Sequence, residues 1–278
     1  MGVITLPRGI DMAATRKAVE KRKCELSLAA FVKAAWSVIE PSQPYIEGFH
    51  IDFVCAHLEA ITDGVLNDDG TFYNRLLVNI PPGTMKSLLI GVFWPAWEWG
   101  PRNMPNMRYV CASHSLELAI RDSLRMRRLV TSEWYQGHWG DRVTITGDQN
   151  AKAKFETTAT GSRQACAFTG ITGYRGDRVL IDDPHSVDDA NSDAKRESVT
   201  NLFKEAVTSR LNNPDRSAIV VVMQRLHERD VSGVILDNDM GYDHIMLPMR
   251  FDPSRACVTA LGYADPREIE GELLFPDR

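Results

Sequence analysis

The stretch Arg75-Leu-Leu-Val-Asn-Ile-Pro-Pro-Gly-Thr-Met-Lys-Ser87 limits what this chain can become more than any other. An apolar run enters a Pro/Gly corner, and Lys86 and Ser87 then open a second apolar run, Leu88-Leu-Ile-Gly-Val-Phe93, with helical character. A buried strand, a tight turn and a helix start leave backbone N–H groups facing outward, where they can cradle phosphates. A lysine there spans the outer two phosphates and a hydroxyl takes Mg²⁺. The chemistry also needs a carboxylate from a second element. Arg178-Val-Leu-Ile-Asp-Asp183, a buried strand ending in two acids, offers one.

The loop departs from the usual G-x-x-x-x-G-K-[ST] pattern, since Ile80 and Met85 stand where its glycines belong. Its context favours phosphate binding through Pro82, Gly83, Thr84, Met85, Lys86, Ser87 and Leu88; the plain alternative is an ordinary strand–turn–helix corner. Asp182 and Asp183 precede Pro184 and emerge at the carboxyl edge of a sheet, where open α/β folds bind ligands. Magnesium takes one or two carboxylates plus water and phosphate oxygens. Asp182 is therefore assigned to the metal with Ser87, and Asp183 to orienting or deprotonating the attacking water. Helix-capping acids, as Asp188, Asp189 and Asp193 read, are the alternative.

A further buried run, Ile219-Val-Val-Val-Met-Gln224-Arg225, ends in two polar side chains. Gln224, with Arg225 beside it, suits a sensor of the terminal phosphate, or both are loop polarity. Gly170-Ile-Thr-Gly-Tyr-Arg175-Gly176 frees Arg175 to reach a phosphate of this subunit or a neighbour, or to pair with Asp177. Arg121, Arg125 and Arg128 share one helix face and read first as a solvated stripe, second as a contact to a phosphate backbone. Trp94, Trp97 and Trp99 read as core, and His114, His185 and His227 lack metal-ligand spacing.

From Leu76 onward the pattern alternates strand and helix, the mark of a parallel sheet covered on both faces. Strands read at Leu76–Ile80, Arg108–Ala112, Val179–Ile181, Ala218–Met223 and His244–Leu247. Helices read at Lys86–Trp99, Leu116–Val130, Ala194–Leu211 and Asp230–Leu236. Upstream, residues 1–24 read as polar and loosely held, ahead of a helix over Glu25–Glu40 and a second ending near Asp63. Short β-like runs between Val143 and Phe168 suggest a hairpin or meander, and beyond Arg250 the pattern dissolves. The division is an N-terminal helical region (1–65), an α/β core (66–250) and a lid or linker (251–278).

A hydrophobic content of 44% supports one large core. The longest apolar stretch, Leu88–Trp97, is too short for a membrane helix and is broken by Pro95. Cys24, Cys55, Cys111, Cys166 and Cys257 include no C-x-x-C pair and read as reduced and intracellular. A net charge of −5 argues against coating nucleic acid through a broad basic field, while leaving room for a motor with a few local cations.

Asn79-Ile-Pro-Pro-Gly-Thr-Met-Lys-Ser87, Cys111-Ala-Ser-His-Ser-Leu-Glu-Leu-Ala119, Gly170-Ile-Thr-Gly-Tyr-Arg175, Val179-Leu-Ile-Asp-Asp-Pro184 and Val220-Val-Val-Met-Gln-Arg-Leu-His-Glu-Arg-Asp230 follow one another in this order. From about Phe31 onward the chain resembles the large subunit of tailed-phage terminases, the motors that package DNA. The resemblance implies a P-loop NTPase of the ASCE type, with a five-stranded parallel core flanked by helices. It also implies a small lid and a nuclease domain whose acids would follow Arg278. It implies ATP and Mg²⁺ as cofactors, Lys86 and Ser87 in the phosphate loop, Asp182 on the metal and Asp183 as the catalytic acid, where many members carry glutamate. Arg175 would be the arginine finger and Gln224 the coupling residue. The Tyr45-Ile-Glu-Gly-Phe-His50 segment, through Phe49 and His50, would contact adenine. Implied partners are double-stranded DNA, a portal protein, a small terminase subunit and further copies in a ring, in the host cytoplasm. Rival readings are a helicase-like ATPase, a nucleotide-binding scaffold that no longer hydrolyses, and a metal hydrolase built on Asp182, Asp183 and His185.

Overall fold

The apolar runs pair side by side. In the computed structural model, which describes residues 11–276, they build one sheet from β1 (Arg75–Asn79), β2 (Arg108–Ser113), β3 (Ile145–Asn150), β4 (Lys154–Thr157), β5 (Ser162–Ala167), β6 (Arg178–Asp182), β7 (Ala218–Met223) and β8 (Asp243–Met246). Their order is β3-β4-β5-β2-β6-β7-β1-β8. From β5 to β8 every pairing is parallel, whereas β4 runs antiparallel to β5 and β3. The expected five-stranded parallel core is thus six-stranded. The 143–168 segment is more than an inserted hairpin, because its last strand turns back and pairs with β2 along its whole length.

Alternate strand residues divide between two cores, as burial on both faces requires. Leu76, Val78, Val220 and Val222 join a cluster with α1 (Met12–Leu26), α2 (Leu28–Ile39), α3 (Phe49–Asp63), α4 (Lys86–Leu88), α5 (Trp94–Trp99), α6 (Leu116–Val130) and α7 (Glu133–Trp139). Leu77, Ile219 and Val221 face the other cluster, which takes Val199 and Phe203 of α9 (Asp193–Ala206) and Val231 and Ile235 of α10 (Val231–Asp237). The short α8 (Val187–Asn191) leads into α9 behind a Ser186–Asp189 capping box.

Residues 1–10 and 277–278, the outer ends of the expected N-terminal region and lid, lie outside the described residues. The rest of the polar N-terminus is not loose, since α1 starts on an Asp11 cap and continues to Leu26. It has no apolar stripe to announce it. Partners from elsewhere hold it: Trp97 Nε1 donates to the Cys24 carbonyl (2.7 Å) and Trp134 Nε1 to Glu20 (2.8 Å).

The helix after the phosphate loop is not uniform. α4 passes into a π-helical turn, Leu89–Phe93, and then into α5. Arg163 of β5, 1% exposed, donates from Nη2 to the Gly91 carbonyl (2.9 Å) inside that turn. Trp94, Trp97 and Trp99 are fully buried, as core residues should be. Glu98 between them accepts from Arg178 Nη2 (2.8 Å), Tyr109 OH (2.5 Å) and Thr62 Oγ1 (2.9 Å), tying α5 to β6, β2 and α3. Past β8 the chain stays attached: Leu274 N donates to the Met249 carbonyl (2.8 Å), and Leu274 and Phe275 are buried. Among the described residues no helix is long and apolar enough to cross a membrane.

Candidate active site

Asn79, at the end of β1, anchors the loop. Its Nδ2 donates to the Met223 carbonyl (3.0 Å) and Ser232 Oγ (2.9 Å), and its Oδ1 meets His244 Nε2 (2.8 Å). The chain then turns tightly, Thr84 Oγ1 donating to the Pro81 carbonyl (2.7 Å). Gly83 and Met85 both take left-handed backbone, with φ 83° and 64°. Met85 stands where the common pattern has glycine, and its backbone keeps glycine's shape at a cost of about 1 kcal/mol. At this second glycine position the letter departs from the pattern and the backbone conformation is kept; Ile80, at the first, has ordinary backbone.

The acidic strand ends beside this loop. β7 lies between β6 and β1, so the two halves of the site are not neighbours in the sheet and meet only above its carboxyl edge. Lys86, almost buried, forms an ion pair with Asp183 and lies 3.7 Å from Asp182 Oδ1. Asp183 also has left-handed backbone, φ 43°. It is fixed from both sides: the Gln224 backbone N–H donates to its Oδ1 (3.1 Å), and the His114 N–H donates to its carbonyl (3.1 Å). Burial raises the pKa of Asp182; Lys86 opposes this, the Asp183 charge adds to it, and the Ser87 hydroxyl opposes it. Asp182 Oδ1 and Ser113 Oγ are buried without hydrogen-bond partners. Among the described residues no three acidic, histidine or cysteine side chains gather as a metal cage. A site of one carboxylate and one hydroxyl, completed by water and phosphate oxygens, is what magnesium accepts. The residues present therefore fit a magnesium–nucleotide, which Ser87 and Asp182 would hold from the protein side.

Loop and acids open onto one cavity of about 680 Å³, a volume suited to a nucleotide. Of the expected contacts, Pro82, Gly83, Met85, Lys86, Ser87, Leu88, Asp182 and Asp183 line it. Thr84 is fully buried under the turn. Phe49 and His50 do not line the cavity. Phe49 faces a separate groove with Asp52 and Tyr263, and His50 is buried against Phe275 at 5.1 Å. The lining instead includes Trp36, Gln43, Pro44 and Ile46, with Phe275 from the far end of the chain. Arg121 and Arg125 line the cavity as well, so the helix stripe is not purely solvated.

Gln224 touches Asp183 through its backbone, while Arg225 is held by buried Asp230 (3.2 Å). Arg175 does not meet the loop within this chain. It lies before the start of β6, exposed, donating to the Leu211 carbonyl (3.1 Å). The four steps from Arg178 to Asp182 rise about 3.3 Å each, so roughly 13 Å of strand separates that end from Asp182. A larger cavity of about 1010 Å³ lies between the 66–75 turn, Asp215 and Tyr242–Asp243. It is rich in aspartate and has no phosphate loop, so the smaller cavity is the candidate site.

This sheet order, with a strand inserted between the loop strand and the acidic strand, is the P-loop NTPase fold. No protein-family model and no curated protein matches the sequence. Among solved structures the chain is similar to the large terminase of bacteriophage HK97, at 15% identity and a TM-score of 0.51. That match covers 82% of this chain and 44% of the HK97 chain. A point mutant of the ATPase domain of the Thermus phage P74-26 large terminase aligns at 12% identity, a TM-score of 0.40 and 68% of each chain. At such identities the likeness is one of fold. The chain shares the fold of part of the HK97 large terminase and spans less than half the length of that protein.

Proposed function

We propose that this chain hydrolyses ATP, and that hydrolysis drives double-stranded DNA into a viral procapsid, as the motor part of a large terminase. One observation carries the reading: Lys86–Ser87 and Asp182–Asp183, far apart in sequence, converge on one nucleotide-sized cavity. Lys86 would span the outer phosphates, leaving its apo partner Asp183 free to orient and deprotonate the attacking water. Ser87 and Asp182 would hold Mg²⁺, which when bound neutralises phosphate charge. Gln224 would report the terminal phosphate through the amide that grips Asp183. Since Arg175 stands at the opposite edge of the sheet, its role as a finger requires a neighbouring copy. The proposal therefore includes a homo-oligomeric ring, docked on a portal protein with a small terminase subunit in the host cytoplasm.

The test is steady-state ATP hydrolysis across a protein titration, with and without double-stranded DNA. The expected result is slow turnover in dilute solution, rising more steeply than protein concentration, stimulated by DNA and abolished by Lys86→Ala. Turnover unchanged in Lys86→Ala overturns the proposal, as does failure of the unaltered chain to bind ATP. Fast turnover independent of concentration removes the shared site.

A further inference from the structure

We propose that Arg121 is a catalytic residue of this site, supplied by the same chain, whose guanidinium meets the terminal phosphoryl group of the nucleotide held on Lys86–Ser87. The inference rests on the ATPase reading and goes beyond it.

Position comes first. Ser113, the last residue of β2, pairs in register with Asp182, and His114 grips the Asp183 carbonyl through both its backbone N–H and Nδ1 (3.1 and 2.9 Å). α6 starts two residues later, so its first turns leave directly from beside the acids. Arg121 lies there and lines the cavity with Lys86, Ser87, Asp182 and Asp183.

Its anchoring is the second observation. Nε and Nη2 of Arg121 donate side by side to the two oxygens of Asp122 (2.9 Å each), a carboxylate only 8% exposed. That grip uses one edge of the guanidinium fork and, among the described residues, leaves its other donors without a protein partner. Arg121 itself stays 45% exposed on the cavity side.

Charge is the third. Asp122 also takes Arg125 (3.4 Å), which reaches on to Glu40 of α2 (3.2 Å). Arg125 therefore spends its charge on two acids. Lys86 is likewise committed to Asp182 and Asp183. Among the described residues Arg121 is the cation of this cavity that combines a two-pronged anchor on one carboxylate with unengaged guanidinium donors on the cavity side. A preorganised guanidinium aimed at developing phosphoryl charge is what the reaction needs. Arg175 cannot supply it in the same chain.

The test compares unaltered protein with Arg121→Ala and Arg121→Lys for binding of ADP, binding of ADP with aluminium fluoride, and single-chain turnover. Arg121→Ala is expected to bind ADP within about twofold of the unaltered protein, to lose at least about a hundredfold in affinity for the fluoride complex, and to turn over about a thousandfold more slowly. Arg121→Lys keeps the charge but not the fork and should fall between. If the alanine variant unfolds, the lysine variant gives the same comparison. Equal fluoride-complex affinity in the variants overturns this proposal alone, as does loss of DNA binding with fluoride-complex binding intact. Failure of the unaltered chain to bind nucleotide overturns the ATPase reading with it.

Discussion

Glu98→Gln tests whether the two halves of the site are held together by the buried pair beneath them. Glu98 is fully buried, and Arg178 retains 5% side-chain exposure. The glutamate oxygens accept from Arg178 Nε and Nη2, Tyr109 OH and Thr62 Oγ1. Glutamine keeps the shape, removes the charge and turns an acceptor into a donor facing other donors. Breaking a buried pair from one side costs about 3–5 kcal/mol, because the remaining charge has no partner. In a protein of this size each kcal/mol moves the melting temperature about 2–4 °C, so a fall of about 10 °C is expected. Circular dichroism melts and urea titrations measure it. The double variant Glu98→Gln/Arg178→Met should recover much of the loss, since it removes the stranded cation. A fall of less than about 2 °C, or a double variant that costs the sum of the singles, refutes the reasoning.

Asp183→Asn should leave ATP affinity nearly intact while lowering turnover about 10²–10⁴-fold, the usual range for a lost general base; normal turnover in a coupled assay would remove that acid from the chemistry. Met85→Gly should keep nucleotide binding, since relief of about 1 kcal/mol of backbone strain offsets the lost side-chain contacts. A tenfold loss of affinity would show that the methionine side chain, not the backbone, shapes the loop. Burial holds His50 and His244 at about 4, below the ordinary value near 6.5. The unfolded chain then binds more protons, so stability falls as pH drops from about 6.5 toward 4, by up to about 3 kcal/mol per histidine. Urea midpoints at pH 7 and pH 5 should differ accordingly, His50→Leu should flatten the difference, and identical midpoints would contradict it.

Much of this architecture was legible locally. Ala218–Met223 is an unbroken apolar run with four β-branched residues at its centre, and α6 has a serine cap and a clear apolar face, so their limits could be read to the residue. The loop and the two acids announced themselves by type and order. What escaped depends on contacts distant in sequence. Trp36, Gln43 and Phe275 meet only after folding, and no local pattern marks them as one wall. Helical periodicity separates the polar face of α6 from its apolar face, but it cannot tell a polar face toward solvent from one toward a cleft, which is why it does not place Arg121 and Arg125 at the cavity. α1 was missed because three-dimensional partners, not amphipathicity, hold it. Phe49 and His50 open α3, just past the non-helical Gln43–Ile46 segment that lines the site.

The π turn between the phosphate loop and the tryptophans gives their connection a spare residue. In a regular helix, deleting one residue would swing everything beyond it by about 100° and unseat Trp94, Trp97 and Trp99. Here a deletion within 89–93 could be absorbed by relaxing to ordinary helical pitch, with Ser87 and Trp94 still facing their present neighbours. Arg163 would then lose the Gly91 carbonyl as its acceptor. Length tolerance in that stretch is thus bounded by one enclosed guanidinium rather than by the helix itself.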